Sequence, residues 1–173
     1  NSIGYAGRIK AYTVLQEKEE TEQKIDISTA KYNTISPIPF TGQELCPQIN
    51  LTINSQNLIK DVDYSISYKN NKNVGTAEIK IIGNGNYTGS FKLEFEILPI
   101  DVPIKPNTQI KVTSNATTLY DISLPAGWQW KNPNLLINNI TSATAIYVGE
   151  NKDNYKNTKM VISLQKEDPI NPS

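Results

Sequence analysis

Residues 91–97, "FKLEFEI", alternate strictly: Phe91, Leu93, Phe95 and Ile97 fall on one side, Lys92, Glu94 and Glu96 on the other. A period of two is that of a strand with one buried face. The same period recurs along most of the chain. "RIKAYTVL" (8–15) reads as a strand closing whatever precedes it, and "QEKEETEQK" (16–24) as a charged linker without an apolar stripe for packing. "KIDIS" and "QINLTI" are short strands, and "SPIPFTGQELCP" between them is broken by prolines and a glycine into a loop or irregular edge. "VDYSISY" puts Val62, Tyr64, Ile66 and Tyr68 on one face, and "GTAEIKII" puts Ala77, Ile79 and Ile81 inward. Beyond "DVPIKPNTQ", which has prolines and no period, strands are expected near 110–113, 118–124, 128–131, 143–148 and 155–164. Leu119, Ile122, Leu124, Ile146, Val148, Val161 and Leu164 are the expected apolar core of that second stretch.

One phrase occurs twice. "AEIKIIG" (77–83) lies over "ATAIYVG" (143–149); Asn86-Tyr87 then matches Asn154-Tyr155, and an alternating strand follows each pair. The two tyrosines are 68 residues apart, and the second copy carries two more residues in its turn, where insertions cost least. A repeat of this length marks a building block rather than a duplicated catalytic device. Gly83, Asn86, Tyr87, Gly149, Asn154 and Tyr155 are its structural turn residues, with each Tyr expected to act as a tyrosine corner, ring in the core and hydroxyl on backbone. Short strands with turn signals every 8–12 residues give an all-β fold class: two small Ig-like β-sandwich modules in tandem, preceded by a short strand and a charged linker. The expected boundaries are 1–22 for the end of a preceding domain plus linker, 23–99 for module 1, 100–108 for the junction, 109–166 for module 2 and 167–173 for a further linker.

Composition narrows the chemistry. Lys+Arg and Asp+Glu number 17 each, so no net charge draws the chain to nucleic acid or an anionic membrane. Mean hydropathy is −0.44 and no apolar run nears the ~20 residues of a membrane span. The first residues lack the apolar region of a secretory leader, which makes an excised fragment the expectation. There is no histidine, so the commonest general base and metal ligand is missing, and the single cysteine, Cys46, has no partner for an internal disulfide. Cys46 reads as a small apolar residue at a strand edge. The expectation is a non-enzyme without cofactor.

"DVDYSISYKNNKNVGTAEIKIIGNGNYTGSFKLEFEI" resembles modules repeated along surface and secreted proteins of Firmicutes, with a D-Y-x-x-x-Y-x-N-N-x-x-x-G-T-A core, a G-x-G-N-Y-x-G turn and a closing F-x-I strand. Asp63, Tyr64, Tyr68, Asn70, Asn71, Gly75, Thr76, Ala77, Gly83, Gly85, Asn86, Tyr87, Gly89, Phe95 and Ile97 carry the resemblance, over roughly residues 25–99. "LYDISLPAGWQWKNPN" followed by "ATAIYVGENKDNY" resembles a companion module with an L-P-x-G-W-x-W-x-x-P phrase. Both kinds are bacterial Ig-like or adhesion-type modules. The resemblance implies an extracellular, Gram-positive, wall-attached or secreted parent, and no chemistry.

The remaining candidates are few. Trp128 and Trp130 share a strand face; exposed, they would form a carbohydrate platform, and buried, they would fill the second core. Asp61, Asp63, Asn70, Asn71 and Asn73, and Asn151, Asp153 and Asn154, are oxygen donors in turns, a possible calcium set without EF-hand spacing. A Lys–Asn or Lys–Asp isopeptide bond would need a buried lysine. The function expected is that of a spacer, stalk or adhesion segment of a bacterial surface or secreted protein, the alternative being carbohydrate-binding accessory modules of a secreted glycoside hydrolase. Expected partners are the neighbouring domains of the parent chain and cell-wall or host glycans and proteins, with no nucleic acid, no membrane and a monomeric state.

Overall fold

The structure, a computed structural model, describes residues 22–166; the expected strand at 8–15, most of the charged run at 16–24 and the tail 167–173 lie outside the described residues. The protein is all-β. Its strands are β1 (Ile25–Asp26), β2 (Lys31–Tyr32), β3 (Ile38–Pro39), β4 (Leu51–Ile53), β5 (Gln56–Asn57), β6 (Tyr64–Lys69), β7 (Gly75–Gly83), β8 (Tyr87–Thr88) and β9 (Ser90–Leu98). There follow β10 (Ile100–Asp101), β11 (Gln109–Val112), β12 (Trp128–Trp130), β13 (Ser142–Tyr147), β14 (Tyr155–Lys156) and β15 (Lys159–Lys166). Among the described residues no helix is long and apolar enough to cross a membrane.

Two four-stranded sheets dominate, and they have the same plan. The first runs β3-β9-β7-β6 and the second β11-β15-β13-β12. In each, the last long strand pairs antiparallel with the strand before the repeated turn and parallel with a short edge strand near the start. Each also has a two-residue parallel pair at its N-terminal end: Ile25 opposite Tyr87, and Ile100 opposite Tyr155. The repeat is therefore longer than the turn phrase. Ile-Asp-Ile at 25–27 and Ile-Asp-Val at 100–102 are its opening halves, with Ile27 and Val102 both buried.

The two turns solve one packing problem in two ways. Gly89 lies at φ +77°, where a Cβ would stand 2.7 Å from Asp26 Oδ1; Asn157, at φ 60°, instead donates from Nδ2 to Asp101 Oδ1 at 2.7 Å. Both positions are left-handed, which Gly and Asn tolerate at low cost. Gly83 is small for another reason: a Cβ there would meet the Thr88 backbone N at 2.8 Å.

The buried side chains form two clusters. Ile27, Leu51, Ile79, Ile81 and Ile97 are the largest fully buried members of the first; Leu119, Ile137 and Ile162 are those of the second. Behind the first sheet lies a three-stranded sheet, β2-β4-β5, whose Leu51 and Ile53 face inward. Behind the second lie 3₁₀ turns at Leu119–Asp121 and Ile137–Asn139, joined by a single bridge between Thr118 and Leu136.

The structure corrects several expectations. Residues 118–124 are not a strand, because Asp121 Oδ2 accepts the backbone N–H groups of Thr117 and Thr118, both at 2.9 Å, and folds the chain into a turn. Val148 and Val161 are exposed, and the inward residues on those strands are Ala143, Ala145, Ile162 and Leu164. Val62 precedes β6 and is exposed rather than sharing the Tyr64 face. The expected connector 100–108 is built into the second cluster. It contains β10, buried Val102 and Pro106, and the Ile104 carbonyl that accepts the Trp128 indole N–H at 2.7 Å. Only Pro99 separates β9 from β10.

Candidate functional site

Trp128 and Trp130 alternate with exposed Gln129 on β12, so both rings point the same way, and that way is inward: 7% and 5% exposed. Trp130 stands opposite Ala145 and Trp128 opposite Tyr147 in the antiparallel pairing with β13. Small alanines on the facing strand leave the room that two indoles fill. The Trp130 N–H donates to the Ile122 carbonyl at 2.9 Å, so both indole dipoles are satisfied by backbone. The rings do not form the exposed pair that a sugar platform needs.

From Trp128 a line of edge-to-face aromatic contacts leaves the second core and enters the first. Ring centroids are 5.7 Å apart for Trp128–Tyr147, 5.7 Å for Tyr147–Tyr155 and 5.9 Å for Tyr155–Phe40. Offset and edge-on pairs of this kind contribute about 0.5–1.5 kcal/mol each beyond area burial. A Cβ on Gly149 would overlap the Tyr147 ring, and one on Gly127 would reach Tyr147 Cε2, so both glycines keep that ring in place. Tyr155 packs against both clusters, and Ile100 against the first.

Polar bonds run beside the rings. Asn154 is buried; its Oδ1 accepts the Val74 backbone N–H at 2.6 Å, and its Nδ2 donates to Asn73 Oδ1 at 3.1 Å. Asn71, buried beneath the same turn, donates to the Leu45 carbonyl at 3.1 Å and toward Cys46 Sγ at 3.6 Å. Two polar grooves flank this seam, one of about 480 Å³ between Glu44 and Asn70–Thr76, the other of about 500 Å³ between Asn73 and Asn151–Asn154.

The other sequence candidates disperse. Asn70 and Asn151 take left-handed turn conformations, Asp63 Oδ2 accepts the Ile59 N–H at 2.7 Å, and Asn71, Asn73 and Asn154 belong to the seam. Among the described residues no group of three or more Cys, Asp or Glu is placed to hold a metal ion. Every described lysine is exposed, against the burial an isopeptide bond requires. Cys46 is exposed in a loop rather than at a strand edge.

The tyrosine corner is displaced. Tyr87 and Tyr155 are half-buried and have no hydroxyl hydrogen bond among the described residues. Tyr64 Oη donates to the Ile49 carbonyl at 3.0 Å and Tyr68 Oη to the Pro47 carbonyl at 2.8 Å, tying β6 to the loop that leads into β4. Burial raises both phenol pKa values, with the nearby Asp61 charge adding to the effect at Tyr64. At Asp121, Asp101 and Asp26 the carboxyl is held below its usual range, mainly by the Thr118 N–H, the Lys105 ammonium and the Ser28 N–H respectively.

One aromatic the sequence did not single out is Tyr120, 80% exposed beside a groove of about 290 Å³ lined by Trp130, Gln129, Lys131 and Pro133. Its neighbours in sequence, Leu119 and Asp121, are held by the 3₁₀ turn, which turns Tyr120 out. No periodicity marks it.

Compared with known proteins, the chain matches no family model, no curated protein and no solved structure.

Proposed function

We propose that residues 23–166 are a tandem pair of Ig-like β-sandwich units acting as a non-catalytic spacer or stalk of an extracellular bacterial surface or secreted protein. The observation that carries this reading is the seam. A single-residue connection, the Tyr155–Phe40 ring contact and the Asn154 bonds hold two repeats end to end. A flexible linker would let the units reorient, whereas a seam of packed rings and side-chain bonds transmits position along the chain. The test is a distance distribution between spin labels on Cys46 and on a cysteine introduced at exposed Ser163. A narrow distribution that broadens in Asn154→Ala supports the spacer. A broad one in the native sequence would overturn it.

Tyr120 favours a second reading, carbohydrate-binding accessory units. An exposed ring beside amide and ammonium groups suits an apolar sugar face with hydroxyls at its rim. Saturable binding of a soluble polysaccharide, lost in Tyr120→Ala with the unfolding midpoint unchanged, would support it. No binding across wall and plant polysaccharides would leave the spacer alone.

A further inference from the structure

We propose that the N-terminal pole of the first unit, formed by Ile25, Asn86 and Tyr87, is a docking surface for the Asn-Val turn of a further unit of the first kind. This inference rests on the tandem-spacer reading and extends it.

The second unit shows what such a pole does when occupied. Its Asn154 takes the Val74 N–H and the Asn73 amide oxygen, its Tyr155 ring meets the Phe40 edge, and its Ile100 packs against the first core. The first unit carries the same three residue types in the same pairing. Ile25 stands opposite Tyr87 as Ile100 stands opposite Tyr155, and Asn86 precedes Tyr87 as Asn154 precedes Tyr155. There, however, Tyr87 packs only against its own core, and nothing among the described residues covers Ile25 or the Asn86 side chain. Ile25 is 41% exposed and Asn86 is exposed, whereas Asn154 is 6% exposed. Only the Asn86 backbone carbonyl has a task inside the unit, accepting the Ile25 N–H at 3.0 Å. A groove of about 400 Å³ lies between Asn86 and residues 22–25, at the place where the second unit receives the turn of the first.

The occupant is specified by this chemistry: a turn presenting a backbone N–H and an asparagine amide, with an aromatic edge nearby. The first unit has that surface at its other pole, in Asn73, Val74 and Phe40. The second unit does not offer it, because its corresponding turn is the longer Lys131–Thr141 connection with a 3₁₀ turn at Ile137–Asn139. The pole therefore fits a unit of the first kind and not a second copy of the last.

The test repeats residues 25–99 once within the full chain, so that Pro99 runs into a second Ile25 as it natively runs into Ile100. The amide of Val74 in the first copy is followed by hydrogen exchange, and the tumbling of the units by ¹⁵N relaxation. The expected result is one rigid body. The first-copy Val74 amide should exchange about tenfold more slowly than in the same chain carrying Asn86→Ala in the second copy. That substitution removes an exposed side chain and leaves the unit folded, which the unchanged exchange of Ile79 and Ile81 would verify. An added unit that tumbles independently, or a Val74 amide indifferent to Asn86→Ala, would overturn the proposal. The native chain is the control. Loss of Val74 protection there would sink the spacer reading itself, whereas a protected native seam beside a loose added one sinks only this inference.

Discussion

The two units share a sheet and differ in what backs it. Behind β3-β9-β7-β6 stands a second sheet, so the first core is filled by side chains from both layers: Leu51, Ile53 and Leu58 against Ile79, Ile81, Leu93 and Ile97, with Phe40, Tyr64 and Phe95 among them. Behind β11-β15-β13-β12 stand 3₁₀ turns and the irregular 102–106 segment in place of a second sheet, and much of the space is filled from within the sheet by Trp128 and Trp130 beside Ala143 and Ala145. One sheet plan thus accepts two fillings. Where two layers supply side chains, many residues share the burial; where fewer strands back the sheet, two indoles supply much of the area. The difference also places an aromatic at the seam, because Tyr147 occupies in the second unit the repeat position of Ile81 in the first.

The sharpest way to break this comparison is Trp130→Ala. Removing a buried indole opposite Ala145 leaves a cavity that nothing nearby can fill, and should destabilise the second unit by about 3–5 kcal/mol. Urea unfolding followed by backbone amide signals of each unit is expected to show the second melting first. Simultaneous melting would mean that the two cores behave as one. Tyr155→Ala should come next, at about 2–3 kcal/mol, since the ring is half-buried yet touches both clusters. Both units should lose stability in it, whereas Tyr87→Ala should affect only the first. An equal response of the second unit to both changes would remove the seam from the account.

Asn154→Ala should have a smaller effect, about 1–2 kcal/mol, by orphaning the Val74 N–H. Heteronuclear relaxation should then report two bodies moving separately. The mildest effect is set by pH. Tyr64 and Tyr68 have folded pKa values above the usual 10, so their contribution is complete below pH 10 and is lost as pH rises through those raised values. Alkaline titration should loosen the first unit in the native chain, and Tyr64→Phe with Tyr68→Phe should flatten that limb while costing two backbone-tying bonds at neutral pH. A limb unchanged in the double variant would assign the alkaline loss elsewhere.

Much of this was written locally. Alternation in 75–83 and 91–97 fixed the inward faces of β7 and β9, since a one-residue slip would expose every apolar side chain there. The repeated turn was legible because both glycines sit at close approaches, Gly83 to the Thr88 backbone and Gly149 to the Tyr147 ring. "KIDIS" reads as a strand, but that Ile25–Ile27 and Ile100–Val102 open the two repeats was missed, because two-residue strands give no period and prolines made 100–108 read as a connector. Val161 was placed inward on the strength of being apolar, although Ile162 and Leu164 occupy the opposite phase. The filling of the second core depended on which small residues face which large ones across β12 and β13, and alanine carries no signal of that kind. Likewise the buried Asn154 looks like any turn asparagine until Val74, 80 residues away in sequence, presents its N–H. The sequence alone determined the long alternating strands and the repeated turn phrase, because sterics and alternation act over a few positions. The seam, the aromatic line and the fate of both tryptophans were decided only by tertiary structure, because each depends on partners from other elements that the fold brings together.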